Sequence, residues 1–341
     1  MRRVIIVFIV VIIVLFGYYY GRRYWRSAEE EKAPPEEAPA RPAVERVVME
    51  AEAPDVAEVP VVTEVPVVAG VDPAEELVKK GEKAAKEGRR MEARKYFEEA
   101  LSKHAESRWA AKAALALGPM YMAAGEKYLA RNAFSKGLAA SASTEEADEI
   151  KKTLVSLNEE IIFSKKASPD SVVYVVKKGD TLSKIGRAYD IPYALIKRIN
   201  DLESDLIFPG QRLKVIKGPF DAVVELQKYR LTVYLKGNFV KEYPIGIGKA
   251  GITPIGKFKV KNKLPNPAWT KPGEQMAADD PENPLGERWI GVEADYGIHG
   301  TIEPETIGQA ASQGCIRMYE ADVEEFYDLV VVGKSTVEIR P

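Results

Sequence analysis

Cysteine and histidine are almost absent from this chain of 341 residues, which contains one cysteine and two histidines. The single cysteine, Cys315, has no partner for an internal disulfide bond. The chain contains only two histidines, His104 and His299, in addition to this cysteine. It therefore lacks enough ligands for a Cys/His zinc site, because such sites use about three or four nitrogen or sulfur ligands. We therefore expect no bound metal and no cofactor.

A strong excess of one charge is also missing. The chain has 49 Lys and Arg against 51 Asp and Glu, a net charge of −2. Nucleic-acid-binding domains usually carry a marked basic patch, so nucleic acid is not expected as a partner. Residues 28–72 lack aromatic side chains and contain seven prolines and an acidic excess. Such a composition cannot build a packed core and predicts a disordered Pro/Glu-rich linker.

An uncharged run rich in Val and Ile extends from Val4 to Tyr20, with arginines on both sides. Its length is near the lower limit for a membrane-spanning helix, roughly 17 to 25 residues. A cleaved signal peptide is the alternative, but no small-x-small cleavage site follows, and the tyrosines at 18–20 suit a membrane interface. We expect a transmembrane anchor over residues 1–27, with the remaining domains outside the cytoplasm.

Residues 73–165 carry Ala, Glu, Lys and Leu at helical spacing, which predicts an all-α region. A set of small residues, an arginine and a phenylalanine recurs 37 residues later: Gly81, Gly88, Ala93, Arg94, Phe97 and Leu101 return as Gly118, Gly125, Ala130, Arg131, Phe134 and Leu138. This pattern resembles tetratricopeptide repeats, whose period is about 34 residues. Two interpretations stay open: a helical spacer, or a docking region for another envelope protein.

Residues 171–217 begin and end with a predicted strand and contain two short predicted helices. Asp180 or Thr181 can cap the first helix, and Ile191–Pro192 can open the second. With Gly-Asp-Thr-Leu at 179–182 and Pro-Gly-Gln-Arg-Leu at 209–213, this βααβ unit resembles a LysM domain. The resemblance implies that two loops bind the glycan of peptidoglycan, through Gly179, Asp180, Thr181, Ile207, Phe208 and Pro209. A degenerate module kept for spacing is the alternative.

The segment Ile298-His299-Gly300-Thr301 is followed by Ser312-Gln313-Gly314-Cys315-Ile316-Arg317. A free cysteine is often only a small buried hydrophobe. Here, however, the Ser-Gln-Gly lead-in is poor core material. A nucleophilic cysteine must form a thiolate, which near neutral pH requires a partner such as an imidazole. The preceding glycine lets a substrate carbonyl approach the backbone N–H groups closely.

These motifs, together with Gly246–Lys249 and Thr253–Phe258, resemble the active site of the L,D-transpeptidase catalytic domain. The resemblance covers residues 220–341, where alternating strand patterns and one short helix predict a mostly-β domain. Gln313 is a departure, since many members carry histidine there.

The resemblance also implies roles for single residues. Cys315 would be the nucleophile, His299 the base, and the backbone carbonyl of Gly300 the group that orients His299, with Asp295 as an alternative. The backbone N–H groups of Cys315 and Gly314 would hold the oxyanion. Three further residues would contact substrate or its loop: Arg317, which docks a carboxylate, Ser312, which braces the loop, and Trp269, in a proline-rich lid over 264–284.

The sequence therefore predicts a multidomain, membrane-anchored enzyme that acts on peptidoglycan. Its mechanism would form a cysteine acyl-thioester with a tetrapeptide stem, release D-alanine and pass the acyl group to an amine, forming 3-3 cross-links. Two alternatives remain: an L,D-carboxypeptidase with water as acceptor, and a non-catalytic scaffold that binds peptidoglycan.

Overall fold

The computed structural model describes residues 72–140, 144–271 and 274–341. The predicted anchor over residues 1–27 and all but the last residue of the predicted linker lie outside these ranges. Within them, no helix is both long enough and apolar enough to cross a membrane.

The first part of the described chain is helical. Asp72 begins it, because its carboxylate accepts a hydrogen bond from the N–H of Ala74 at 2.9 Å and so caps the first helix. The helices are α1 Pro73–Lys86, α2 Arg90–Lys103, α3 Trp109–Ala123, α4 Lys127–Ala139 and α5 Thr144–Ile161. The prediction of an all-α region is thus confirmed.

The sequence repeat has a structural counterpart in two helical hairpins. Gly81 of α1 faces the ring of Phe97 in α2, and Gly118 of α3 faces the ring of Phe134 in α4. A Cβ atom would lie 2.6 Å from the ring at the first glycine and 2.1 Å at the second. Only glycine therefore allows these helices to pack so closely. Assignment to the tetratricopeptide class stays a prediction.

The next region has the predicted βααβ order. It consists of β1 Ser171–Val175, α6 Leu182–Ala188, α7 Tyr193–Asn200 and β2 Arg212–Ile216, and the two strands pair antiparallel. Thr181 caps α6 by accepting a hydrogen bond from the N–H of Lys184 at 3.2 Å. The side chain of Asn200 bonds both the N–H and the carbonyl of Lys214, each at 2.8 Å, and so ties α7 to β2.

The C-terminal region is mostly β, as predicted. Its elements are β3 Phe220–Glu225, β4 Arg230–Leu235, β5 Asn238–Pro244, β6 Ile247–Gly248, β7 Gly256–Lys259, β8 Asn262–Pro265, β9 Trp269–Lys271, β10 Glu274–Met276, β11 Arg288–Glu293, β12 Tyr296–His299, β13 Ala310–Ser312, β14 Ile316–Arg317, α8 Glu320–Tyr327 and β15 Thr336–Arg340. Alternate residues of β3 (Phe220, Ala222 and Val224) are buried, which matches the period of a strand covered on one face.

These strands form two main sheets. One has the order β5-β4-β3-β15-β7, and the other has the order β14-β12-β11-β8. Most neighbours are antiparallel, but β15 runs parallel to β3 and β14 runs parallel to β12. The parallel pair β12–β14 is the one that positions the site.

Helix α5 connects the three regions. The side-chain amide of Asn158 donates to the carbonyls of Phe239 and Val240 in β5, both at 2.9 Å. At the C-terminal end of α5, the buried ammonium of Lys214 donates to the carbonyls of residues 161, 162 and 164 at 2.7 to 3.0 Å. Burial lowers the pKa of Lys214 to about 8. The described helices, LysM-like region and mostly-β region are therefore packed together through polar as well as apolar contacts.

Candidate active site

A cleft of about 480 Å³ opens in the mostly-β region. Its walls contain several predicted site residues together with residues that the sequence did not single out. They are Trp269, Pro284, Leu285, Asp295, Tyr296, His299, Ser312, Gln313, Cys315 and Arg317.

Two neighbouring strands bring His299 and Cys315 to this cleft. Strand β12 ends at His299, and β14 begins immediately after Cys315. The strands pair in parallel with Ile298 opposite Ile316, and both isoleucines are buried. The indole of Trp289 lies flat against the imidazole, with ring centroids 5.9 Å apart and planes 16° apart. Apolar packing therefore fixes the position of the imidazole.

The imidazole of His299 is bonded to the adjacent backbone. Its Nδ1 lies 2.6 Å from the carbonyl oxygen of Gly300. Because a carbonyl can only accept, Nδ1 carries the proton and Nε2 is left as the basic nitrogen. The side chain of Asp295, the alternative orienting group, makes no hydrogen bond to His299 among the described contacts.

The pKa of His299 is lowered to about 4, mainly by burial. The hydrogen bond to the Gly300 carbonyl opposes this shift, and the charge of Arg317 adds to it. Burial also raises the pKa of the Cys315 thiol, whereas the Gly297 backbone and Arg317 lower it. Burial therefore disfavours the charged form of both side chains. The expected thiolate near neutral pH stays a prediction, and desolvation in this cleft opposes it.

The loop before Cys315 is braced by hydroxyl groups. Ser312 Oγ donates to the carbonyl of Cys315 at 2.6 Å and accepts the N–H of Gly314 at 3.1 Å. Thr253 Oγ1 donates to the carbonyl of Gly314 at 3.0 Å. Gly314 itself has φ +123°, and a Cβ atom there would lie 2.4 Å from the ring of Tyr296. Thr253 and Tyr296 were not predicted, because their contacts with this loop span long stretches of sequence.

These hydrogen bonds affect which backbone N–H groups are free to stabilise an oxyanion. The N–H of Gly314, which we expected to face the substrate, is occupied by Ser312. The N–H of Cys315 makes no hydrogen bond to any residue that the structure describes. Cys315 is therefore the better candidate for the oxyanion donor.

Arg317 lies in the cleft wall with its side chain 15% exposed. Its Nη1 bonds the carboxylate of Glu303 and the hydroxyl of Thr306, the latter at 3.1 Å. Its buried Nε has no hydrogen-bond partner among the described residues. The arginine expected to receive a substrate carboxylate already holds a carboxylate of this chain, so a substrate would have to share or replace Glu303.

The predicted lid is partly ordered as strand. Residues 264–284 contain β9 and β10, which pair as a short hairpin and carry Trp269 to the cleft. The amide of Asn283 donates to the carbonyls of Pro267 and Ala277, at 2.8 and 3.2 Å. The base of the segment is thus tied together by an asparagine that the sequence pattern did not identify.

The two LysM loops are adjacent, because the N–H of Gly210 donates to the carbonyl of Val176 at 2.8 Å. The carboxylate of Asp180 accepts from the hydroxyl of Tyr174 at 2.8 Å and from the N–H of Lys177 at 2.7 Å. Gly179 has φ +86°, as a tight turn requires. Both Asp180 and the helix cap Thr181 therefore support the fold.

The exposed apolar surface of the LysM-like region is in the second loop. Phe208 is 60% exposed, while Ile207 is half-buried and Pro209 is exposed. Leu206 is 65% exposed and was not predicted. An apolar surface suited to a sugar ring is therefore present beside the first loop.

Comparisons with known proteins agree with this architecture. A family model for the L,D-transpeptidase catalytic domain matches residues 219–339, and one for the LysM domain matches residues 174–215. A Bacillus licheniformis protein named "Putative L,D-transpeptidase YkuD" is 34% identical over 180 residues, which cover 50% of this chain and 99% of the relative. The protein of the same name from Bacillus subtilis is 34% identical over 171 residues, covering 48% of this chain and 95% of the relative.

A solved L,D-transpeptidase from Mycobacterium smegmatis is similar over 39% of this chain and 64% of its own, with a TM-score of 0.31 and 22% identity. The fold and the cleft define a mostly-β domain, with a histidine at the end of one strand and a cysteine just before the adjacent strand, joined to a LysM domain. The matches above show that this chain belongs to the L,D-transpeptidase family.

Proposed function

We propose that this chain is a peptidoglycan L,D-transpeptidase in which Cys315 is the nucleophile and His299 the base. The observation that carries the proposal is the 2.6 Å contact between His299 Nδ1 and the Gly300 carbonyl. That contact fixes the tautomer whose Nε2 can accept a proton, in the same cleft that Cys315 lines.

In the first half-reaction, Nε2 of His299 takes the proton of the Cys315 thiol while sulfur attacks the amide carbonyl before a terminal D-alanine. Concerted removal of the proton needs neither charged partner beforehand, which fits the burial that disfavours both charged forms. The backbone N–H of Cys315 receives the oxyanion. The carbon–nitrogen bond then breaks, His299 returns the proton to the leaving amine, and D-alanine departs.

In the second half-reaction, a side-chain amine of a neighbouring stem peptide attacks the thioester. His299 removes a proton from that amine and then protonates the departing sulfur. The product is a 3-3 cross-link and the free enzyme. With water as acceptor the same residues would perform an L,D-carboxypeptidase reaction, which is the alternative within this chemistry.

The remaining regions would bring substrate to the cleft. Arg317 and Trp269 line the cleft. The guanidinium of Arg317 and the indole of Trp269 would hold the stem peptide. The LysM loops would hold the glycan through Phe208 and its neighbours, raising the local concentration of stems. The tetratricopeptide-like helices would serve as a spacer or bind an envelope protein, and an anchor at residues 1–27 would keep the catalytic part outside the cytoplasm.

Mass spectrometry of the products from a purified disaccharide-tetrapeptide tests the proposal. Dimers with a 3-3 link support the transpeptidase, tripeptide alone indicates the carboxypeptidase, and no turnover leaves a scaffold that binds peptidoglycan. The Cys315→Ala variant is expected to lose all turnover, while its glycan binding and thermal unfolding stay unchanged. Cross-links made by that variant would rule out Cys315 as the nucleophile.

A further inference from the structure

A carboxyl group that the proposed mechanism does not use lies directly behind Gly300. Glu320 is the first residue of α8. A Cβ atom added to Gly300 would lie 2.0 Å from Glu320 Oε1, and one added to Gly286 would lie 1.9 Å from the same oxygen. The carboxyl therefore contacts two backbone segments: the loop after His299 and the end of the proline-rich segment.

The surroundings of this carboxyl are only partly polar. The N–H of Glu287 donates to Oε2 at 3.3 Å, while Oε1 is buried without a hydrogen-bond partner among the described residues. Burial raises the pKa of Glu320, and the charge of Glu287 raises it further. The backbone N–H groups of Glu287 and Thr301 and the charge of Arg288 lower it. The carboxylate thus lies against the Gly300–Thr301 peptide, and its Oε1 makes no hydrogen bond to a described residue.

The N–H of Thr301 and the carbonyl of Gly300 belong to one peptide unit. That carbonyl oxygen lies 2.6 Å from His299 Nδ1. A negative charge at the N–H end of a peptide unit polarises it and makes its oxygen a stronger acceptor. A stronger acceptor stabilises an imidazolium more than a neutral imidazole, because hydrogen bonds between charged partners are the stronger ones.

We propose that Glu320 is a positioning residue for His299. Its carboxylate lies against the Gly300–Thr301 peptide and polarises it, so that the Gly300 carbonyl orients His299 and stabilises the imidazolium formed during the reaction. The carboxylate acts through one backbone amide and does not touch the imidazole. The catalytic role of Glu320 rests on the proposed function. The effect of its charge on the His299 Nδ1 hydrogen bond, however, can be measured without turnover.

The test compares the full-length protein with its Glu320→Gln variant, which keeps the shape of the side chain and removes the charge. We expect the variant to have a kcat about tenfold lower with KM unchanged, since a charge-assisted interaction is replaced by a neutral one. In protein labelled with ¹⁵N-histidine, the Nδ1 proton of His299 should move upfield, because its hydrogen bond weakens. The chain has two histidines, so a His104→Gln variant assigns both signals.

Asp322→Asn is the matched control. Asp322 lies on the same turn of α8, and burial raises its pKa too, but its charged neighbours are Lys241 and Glu325. This variant should leave the kcat and the His299 signal unchanged. Glu320→Asp keeps the negative charge and is expected to restore most of the lost rate and of the original chemical shift.

A measurement on the wild-type protein needs no variant. Because burial raises the pKa of Glu320, acidification should protonate it before an exposed glutamate, and the Thr301 amide and His299 Nδ1 proton signals should then shift with one midpoint. The proposal is overturned if Glu320→Gln leaves the His299 signal in place, or if Asp322→Asn moves it equally. If no form turns over substrate but Glu320→Gln still moves that signal, the proposed function fails and the coupling stands.

Discussion

The catalytic cleft and the LysM loops use their polar side chains in opposite ways. In the cleft, His299 and Ser312 are buried, and the pKa of His299 falls to about 4 because water is excluded. In the LysM loops, Asp180 and Thr181 bond to neighbouring backbone, and the exposed surface is apolar. The LysM motif therefore marks residues that build the fold, whereas the catalytic motif marks residues that line the cleft. Four measurements can break or sharpen this contrast.

The largest effect is expected from His299→Gln, which removes the base and keeps a polar side chain. General acid–base catalysis contributes roughly 10²- to 10⁴-fold, so turnover should fall within that range. Binding to chitin-type oligosaccharides should be unchanged. The matched control, His104→Gln, changes a residue at the C-terminal end of α2 and should keep wild-type turnover. If His104→Gln also abolished turnover, the loss in His299→Gln could be explained by destabilisation of the fold and would not identify the base.

A smaller effect is expected on thiol reactivity. Because burial raises the pKa of Cys315, iodoacetamide should alkylate it more slowly at pH 7 than a free cysteine, with the rate still rising above pH 9. Arg317 lowers that pKa, so Arg317→Gln should slow alkylation several-fold further. Arg340→Gln, on the exposed end of β15, provides the control. Fast alkylation at pH 7 would instead reveal a thiolate–imidazolium pair.

For the LysM surface, we expect Phe208→Ala to weaken oligosaccharide binding about fivefold, since an aromatic contact contributes about 1 kcal/mol. Ile255→Ala is a matched control, because both side chains are 60% exposed and Ile255 lies in the catalytic region. Isothermal titration with a chitin oligomer would measure both. Equal losses in the two variants would argue against a sugar site at this loop.

The smallest effect concerns stability. Lys214 in β2 and Lys263 in β8 each donate to carbonyls at the end of a helix, and burial lowers the pKa of both to about 8 from 10.5. Between these two pH values the unfolded chain binds more protons, so the free energy of unfolding should rise with pH.

Replacing either lysine with methionine should make the free energy of unfolding increase less between pH values of about 8 and about 10.5. Urea unfolding at two pH values, about 7.5 and 9.5, measures it. The exposed Lys178→Met variant should keep the wild-type difference. If it loses as much as the buried lysines do, the depressed pKa values are not the cause.

The sequence revealed those parts of the molecule that depend on short-range patterns. The βααβ order and the mostly-β region could be predicted from local strand, helix and turn patterns, and two short motifs pointed to His299 and Cys315, which line one cleft. The turn that joins β4 to β5 is equally local, since Lys236 at φ 52° and Gly237 at φ 76° have the conformation of a tight hairpin turn.

What could not be predicted depends on distant residues. Arg131 and Asp170 form a buried ion pair at 2.6 Å although 39 positions separate them. The brace from Thr253 to Gly314 spans 61 positions, and the contact of Glu320 with Gly286 exists only in the folded chain. The raised pKa of the Cys315 thiol could not be foreseen for a related reason, since desolvation of Cys315 depends on the whole cleft and not on its motif.

Helix α5 has a consequence for where the enzyme acts. Its C-terminal end is bonded to the LysM strand through Lys214, and Asn158 bonds it to the edge of the catalytic sheet. A polymer held by the LysM loops would therefore meet the cleft at one fixed offset. The distance along the glycan between the bound sugars and the cleft would then decide which stem peptide reacts. A flexible linker between the two regions would not impose such a fixed spacing.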